Sequence, residues 1–181
     1  MSCPKIQTGP HFSYPVVDHI TLYNSLMTNY IVRPITSLDY KAVNEIDVLT
    51  QIQYLGEENW NQLSQKEKES HLVSRQPNYD GFVKSGYSFL VESEGQVLGF
   101  ILAFETIPVY QEVCCEYVAI SPSSQGQGII ALLYQELIKI SQKNNIKKVW
   151  GLINLDNPNS IKAHLKSGFK LNDRKEAVLI I

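Results

Sequence analysis

The segment AISPSSQGQGIIALLYQEL, Ala119 to Leu137, constrains the fold more than any other stretch of this 181-residue chain. An apolar strand runs into a loop of Ser, Pro and Gly, and the loop runs into an amphipathic helix expected over Ile129 to Gln142. A strand that turns through glycines into a helix makes a seat for an anion, because the first N–H groups of a helix have no partner within it. The rest of the chain narrows which anion that is.

A chain of this length holds one well-buried core. Its composition, 44% hydrophobic and 19% charged, fits an ordinary globular protein. No run of about 18 apolar residues occurs, so no transmembrane helix and no membrane partner are expected. The first 29 residues lack a basic start and a continuous apolar segment, which argues against a signal peptide and for a cytoplasmic address. Within them Ile20, Tyr23, Leu26 and Met27 have helical spacing, so residues 1–29 are expected to pack on a domain spanning residues 30–181. Cys114 and Cys115 are adjacent, which suits two reduced thiols on opposite faces of a strand better than a disulfide framework. His11, His19, His71 and His164 show no ligand spacing, and no metal site is expected.

The net charge of −2 conceals an asymmetry. Residues 1–138 carry 7 basic and 15 acidic side chains, whereas residues 139–181 carry 9 and 3, so the segments sum to −8 and +6. A nucleic-acid binder would be basic more uniformly. The split suggests a polyanionic ligand near the C-terminal third and a cationic one elsewhere, although folding can mix segments that are separate in sequence.

Periodicity gives the elements. YIVRPIT, Tyr30 to Thr36, alternates as a strand, and Leu38, Ala42, Val43, Ile46 and Leu49 mark a helix with Ser37 as its N-cap. A second helix is expected around Gln65 to Ser74. YSFLVESEGQVLGFILAFETI reads as an antiparallel hairpin turning at ESEG. VCCEYVAI, KKVWGLIN and the terminal EAVLII read as strands. PNSIKAHLKSGF reads as a short helix with Asn157 as N-cap, Pro158 at its first position and Gly168 as its left-handed stop. Strand, helix, strand between residues 113 and 154 requires a parallel crossover. The sheet is therefore mixed and flanked by helices, an α/β arrangement in the α+β sense.

Two phosphate-binding patterns fail against the glycines. A P-loop needs Lys followed by Ser or Thr after the second glycine, and neither follows Gly128. The dinucleotide fingerprint fits Gly126 to Ala131 in letter. However, five residues separate those glycines from the strand, Asp156 comes late for the ribose, and about 50 remaining residues are too few for a doubly wound sheet.

A third pattern fits. Ile120 and Pro122, then Gln125, Gly126 and Gly128, resemble the V-x-P-x-x-[RQ]-G-x-G-x-[GA] signature of the GNAT superfamily of acyl-CoA-dependent N-acetyltransferases. NPNSIKAHLKSGF resembles that family's second motif at Asn157, Ser160, Gly168 and Phe169. The two motifs stand in the family's order, separated by a helix and a strand.

This resemblance implies a GNAT-like acyl-CoA N-acyltransferase fold, acetyl-CoA as cofactor, and a glycine turn whose N–H groups cradle the coenzyme A pyrophosphate. The cofactor-binding residues implied are Val118, Ala119 and Ile120 of the strand, Gln125, Gly126, Gln127, Gly128, Ile129 and Ile130 of the turn, and Asn157 and Ser160. It also implies that the strand before the turn splays from the strand after the helix, which frees backbone groups for the amides of pantetheine. Ile130 stands where the family has Gly or Ala, so its side chain must find room. Gln127 needs no side-chain contact. Asn157 has a second reading, as a helix cap alone.

His164 stands where the family usually has a Tyr that protonates the leaving thiolate. A histidine can do that, or can simply pack. Glu116, expected on the strand face shared with Cys114 and Val118, is the candidate base that deprotonates the acceptor amine; it reads equally as a solvated carboxylate, and Glu112 is the fallback. Asp47, Glu57 and Glu58 with Tyr54, Trp60 and Tyr79 read either as a cleft for a cationic amine or, the better reading for any one of them, as a solvated acidic helix with core aromatics. The function expected is acetyl transfer from acetyl-CoA to a primary amine of a small molecule or protein. The rival is a non-catalytic acyl-CoA sensor or interaction module. No nucleic-acid partner is expected, and the oligomeric state is open, a homodimer included.

Overall fold

The hairpin expected at ESEG forms β2 (Phe89–Ser93) and β3 (Gln96–Glu105). Its turn residues Glu94 and Gly95 both have positive φ, 52° and 78°, the backbone that matches a two-residue turn to the twist of its strands. In the computed structural model, which describes residues 29–106 and 110–173, this hairpin is the centre of a five-stranded sheet. β1 (Ile31–Pro34) pairs antiparallel with β2, and β4 (Glu112–Ile120) pairs antiparallel with β3. β5 (Lys148–Trp150) then pairs parallel with β4. The order is β1-β2-β3-β4-β5, and the mixed sheet is the one expected. The packing of residues 1–28 and the EAVLII strand lie outside the described residues.

Helices cover both faces. α1 (Tyr40–Leu55), α2 (Glu57–Gln62), α3 (Gln65–His71) and α4 (Asn78–Ser85) come between β1 and β2. The second expected helix is α3, ending at His71 rather than Ser74 and capped by Ser64 and Glu67. The cap at the start of α1 differs too. Thr36, not Ser37, makes the reciprocal contact, its N–H and hydroxyl both donating to Asp39 Oδ2 at 2.8 Å. The intervening residues Ser37–Asp39 form a 3-10 turn, so the chain enters the helix one residue earlier than its periodicity suggests. The capping carboxylate is also clamped by Arg33 of β1, at 2.7 and 2.8 Å.

α5 (Ile129–Lys143) buries Ile129, Leu133, Tyr134 and Leu137 along one stripe, the i, i+4, i+5, i+8 spacing of a core-facing helix. They meet Phe89, Val91, Ile101, Val113 and Cys115 on one face of the sheet. The opposite face packs Leu90, Phe100, Leu102 and Ala119 against Val43 and Ile46 of α1 and Tyr79 and Phe82 of α4. α6 (Pro158–Lys166) follows β5. Cys114 and Cys115 are free and buried. Among the described residues no helix is long and apolar enough to cross a membrane, and no cluster of metal-ligating side chains occurs.

Candidate active site

β4 and β5 make a fork. β4 is nine residues long, yet only Glu112, Val113 and Cys114 pair with β5. KKVWGLIN therefore contributes three strand residues where eight were expected. The fork begins at Gly151, which lies so close to Cys115 that a Cβ there would stand 2.8 Å from the Cys115 carbonyl oxygen. Beyond it the β5–α6 loop leaves the sheet, and its Leu152 and Leu155 are exposed.

The far half of β4 keeps β3 on one side and, among the described residues, a free edge on the other. Ser121 N–H donates to Leu98 O at 2.8 Å, and the register pairs Ala119 with Phe100. Hydrogen-bonded pairs alternate along antiparallel strands, so the N–H and C=O of Ala119 serve β3, while those of Val118 and Ile120 point into the fork. Of the three strand residues named from the sequence, two offer backbone groups there. Ala119 instead buries its methyl against α1 and fixes the strand.

The glycine turn follows. Gly126 and Gly128 adopt φ of 80° and 82°, a left-handed conformation in which a Cβ would cost energy. Gly128 is the N-cap of α5. Ala131 N–H closes on Gly128 O at 3.0 Å, which leaves Ile129 and Ile130 as the first helical donors, with no acceptor among the described residues. The Ile129 side chain is core, and that of Ile130 packs partly buried against the same core, so the β-branched residue has its room. Gln127 does make a contact: its Oε1 accepts from Tyr30 Oη at 2.8 Å. The Gln125 side chain turns to α1, where its Nε2 donates to Gln53 Oε1 at 2.8 Å.

Glu116 lies where the fork opens. The register passes from Tyr117 opposite Leu102 to Cys115 opposite Ala103, so Glu116 is the extra residue of a β-bulge, a device that re-aims a side chain. The bulge also shifts the faces. Val113, Cys115 and Val118 lie on the α5 side and Tyr117 on the α1 side, so the expectation that Val118 shares Glu116's face with Cys114 is corrected. Cys114 does contact Glu116, its Sγ donating to Oε2 at 3.9 Å. Burial, and next to it the Glu116 charge, push the Cys114 thiol up to about 11. Glu116 itself is exposed. Glu112 is held by Lys148 at 3.0 Å.

His164 does not open onto the fork. The ring is 6% exposed and is wedged edge-on against Tyr134 and Phe169. Its Nδ1 donates to the Ser160 carbonyl at 2.8 Å, so its Nε2 accepts the Tyr134 hydroxyl at 2.8 Å. Both nitrogens are spent inside the protein, and the ring fastens α6 to α5. Asn157 Oδ1 accepts from Ser160 N–H at 3.0 Å; the cap engages its side-chain oxygen.

Residues of α1 and its successors divide likewise. Asp47, Trp60 and Tyr79 are buried. Asp47 Oδ2 accepts from Ser74 N–H at 2.8 Å, and burial raises its pKa despite that bond. Tyr79 donates to Thr36 O at 2.8 Å. Glu57, Glu58 and Tyr54 are exposed, and Tyr54 Oη donates to the Asp156 carboxylate at 3.3 Å. Sequence reasoning missed Gln53, Thr50 and Gln51, through which α1 reaches the turn and Tyr117 of β4. Their only signal was position on the helix.

A family model described as "Protein of unknown function (DUF1999)" matches residues 30–181. No curated protein sequence matches. Among solved structures, the PaiA N-acetyltransferase of Thermoplasma acidophilum in complex with coenzyme A superposes with a TM-score of 0.69 at 15% identity, over 81% of this chain and 92% of that one. AAC(6')-Iy in complex with the bisubstrate analogue CoA-S-monomethyl-acetylneamine gives 0.62 at 14%, over 85% and 99%. A transcriptional regulator from Bacillus halodurans C-125 gives 0.62 at 13%, over 83% and 99%. At such identities the likeness establishes the fold, which is the one the two sequence motifs imply.

Proposed function

The chain belongs to the family described as "Protein of unknown function (DUF1999)" and has the fold of the GNAT N-acetyltransferases, and from that premise we propose that it binds acetyl-CoA and transfers the acetyl group to a primary amine. The acceptor is an amine of a small molecule or protein, attacking directly in a ternary complex. One observation carries this reading: the free edge at Val118 and Ile120 leads straight into a left-handed glycine turn with unbonded helix donors. Such a track offers strand-like pairing to the amides of pantetheine and converging N–H groups to a diphosphate. Coenzyme A complexes of the fold's neighbours PaiA and AAC(6')-Iy support it.

The residues present fit the cofactor. A Cβ at Gly126 would meet nothing within 4 Å, so the turn is open where phosphate oxygens must approach, and the α5 dipole favours an anion there by about 0.3–1 kcal/mol. Acetyl-CoA supplies the activated acyl group. The amine must be neutral to attack, whereas an alkyl amine is mostly protonated near pH 7. Glu116, lifted by the bulge at the mouth of the fork, accepts that proton on its carboxylate. Val118 N–H, on the free edge, is a donor for developing negative charge on the acyl oxygen.

The buried His164 favours a second reading, a coenzyme A-binding module without turnover, because position 164 offers the fork no proton. Single-turnover mixing of acetyl-CoA with a panel of amines separates the two. Amine acetylation supports the transferase, and tight cofactor binding with every amine unmodified supports the module.

A further inference from the structure

The last turn of α1 spans the fork. Thr50 and Gln51 bond the Tyr117 hydroxyl on β4 at 3.0 and 3.2 Å. Two residues on, Gln53 meets Gln125 of the glycine turn in a reciprocal amide pair, Gln125 Nε2 donating at 2.8 Å and Gln53 Nε2 donating back at 3.4 Å. Tyr54 then reaches Asp156 on the other prong. The Gln125 amide has one more contact: Nε2 also donates to Ile120 O at 3.4 Å. That carbonyl is one of the free-edge acceptors of β4, so the side chain held by Gln53 covers a group that an added strand or an amide ligand would use.

We propose that Gln53 and Gln125 form a latch, which holds the free edge of β4 covered and ties α1 to the glycine turn until the cofactor arrives. This rests on the coenzyme A reading of the fork. A ligand amide that takes Ile120 O displaces Gln125 Nε2, and the pair with Gln53 opens with it. The end of α1 then keeps Thr50 and Gln51 on Tyr117 and Tyr54 on Asp156 but loses its tie to the glycine turn, and the way between α1 and that turn widens for the acceptor. Occupancy of the cofactor track and the position of α1 are thereby coupled, and such coupling acts in both directions: whatever loosens the latch favours the cofactor.

Gln53 is a positioning residue, and it is exposed, so Gln53→Met keeps its bulk and the fold while removing both hydrogen bonds. Titration calorimetry of coenzyme A against the full chain and this variant is the test. An exposed amide pair of ordinary strength predicts binding about two- to tenfold tighter in the variant, with the melting temperature of the unliganded protein lowered by at most about 5 °C. Amide exchange at residues 52–56 should also quicken when coenzyme A is added to the unaltered chain. Equal or weaker binding by the variant overturns the latch, as does unchanged or slowed exchange at 52–56. Absence of coenzyme A binding to both proteins overturns the cofactor reading itself, and the latch with it.

Discussion

The hydroxyl of Tyr134 donates to Nε2 of His164 across 2.8 Å, in a buried contact that joins α5 to α6. Tyr134 also touches Cys115 Sγ at 3.9 Å, so β4, α5 and α6 meet at one phenol. Removing the imidazole leaves a cavity and an unpaired buried hydroxyl. His164→Ala should cost about 2–4 kcal/mol of stability, and Tyr134→Phe about 1 kcal/mol, both read from urea unfolding. A His164→Ala protein as stable as the parent would mean that the ring is not packed as described.

Glu116→Gln keeps the shape of the bulge and removes the proposed base. Turnover should fall by about 10²–10⁴ with coenzyme A affinity retained. The deficit should shrink as pH rises toward the acceptor amine's own pKa, because bulk solvent then supplies the neutral amine. A pH–rate profile of the two proteins checks both points.

Gly151 sets the fork. In Gly151→Ala the new methyl would stand 2.8 Å from Cys115 O, closer than real Cβ contacts allow, so β5 must move from β4. The expected cost is about 1–3 kcal/mol, together with weaker coenzyme A binding, measured by thermal unfolding and calorimetry.

Two aspartates should give opposite pH dependence. Arg33 and Thr36 hold the Asp39 carboxyl down to about 2, so Asp39 contributes stability that is fully present above its unfolded value near 4 and is lost as pH falls toward 2. Asp39→Asn should therefore destabilise at pH 7 and match the parent near pH 2. Burial raises Asp47, so the folded chain holds that proton more tightly than the unfolded chain. Its contribution declines as pH rises above about 4, and Asp47→Asn should gain on the parent from pH 4 to 7. Denaturant midpoints across pH 2–7 decide both.

Local signals were legible. The hairpin, the left-handed stop at Gly168 and the Asn157 cap are written in adjacent residues, and the structure has all of them. The two motifs imply the fold that forms. Pairwise facts were not legible. The bulge at Glu116 depends on how β4 registers on β3, and His164 is decided by a tyrosine thirty positions earlier. Asp47 looks like a surface acid in sequence, yet Ser74 N–H and burial between α1 and β4 make it interior. β5 is cut short because Gly151 is where β4 and its neighbour part, and no composition rule carries that.

On the proposed reading, a coenzyme A diphosphate sits on the glycine turn with its pantetheine along the free edge of β4. Residue-resolved amide exchange with and without coenzyme A tests it most directly. New protection is expected at Val118, Ile120 and residues 126–130, with Ala119 already protected by β3 in both states. Protection confined to other elements, or none at all, would contradict it.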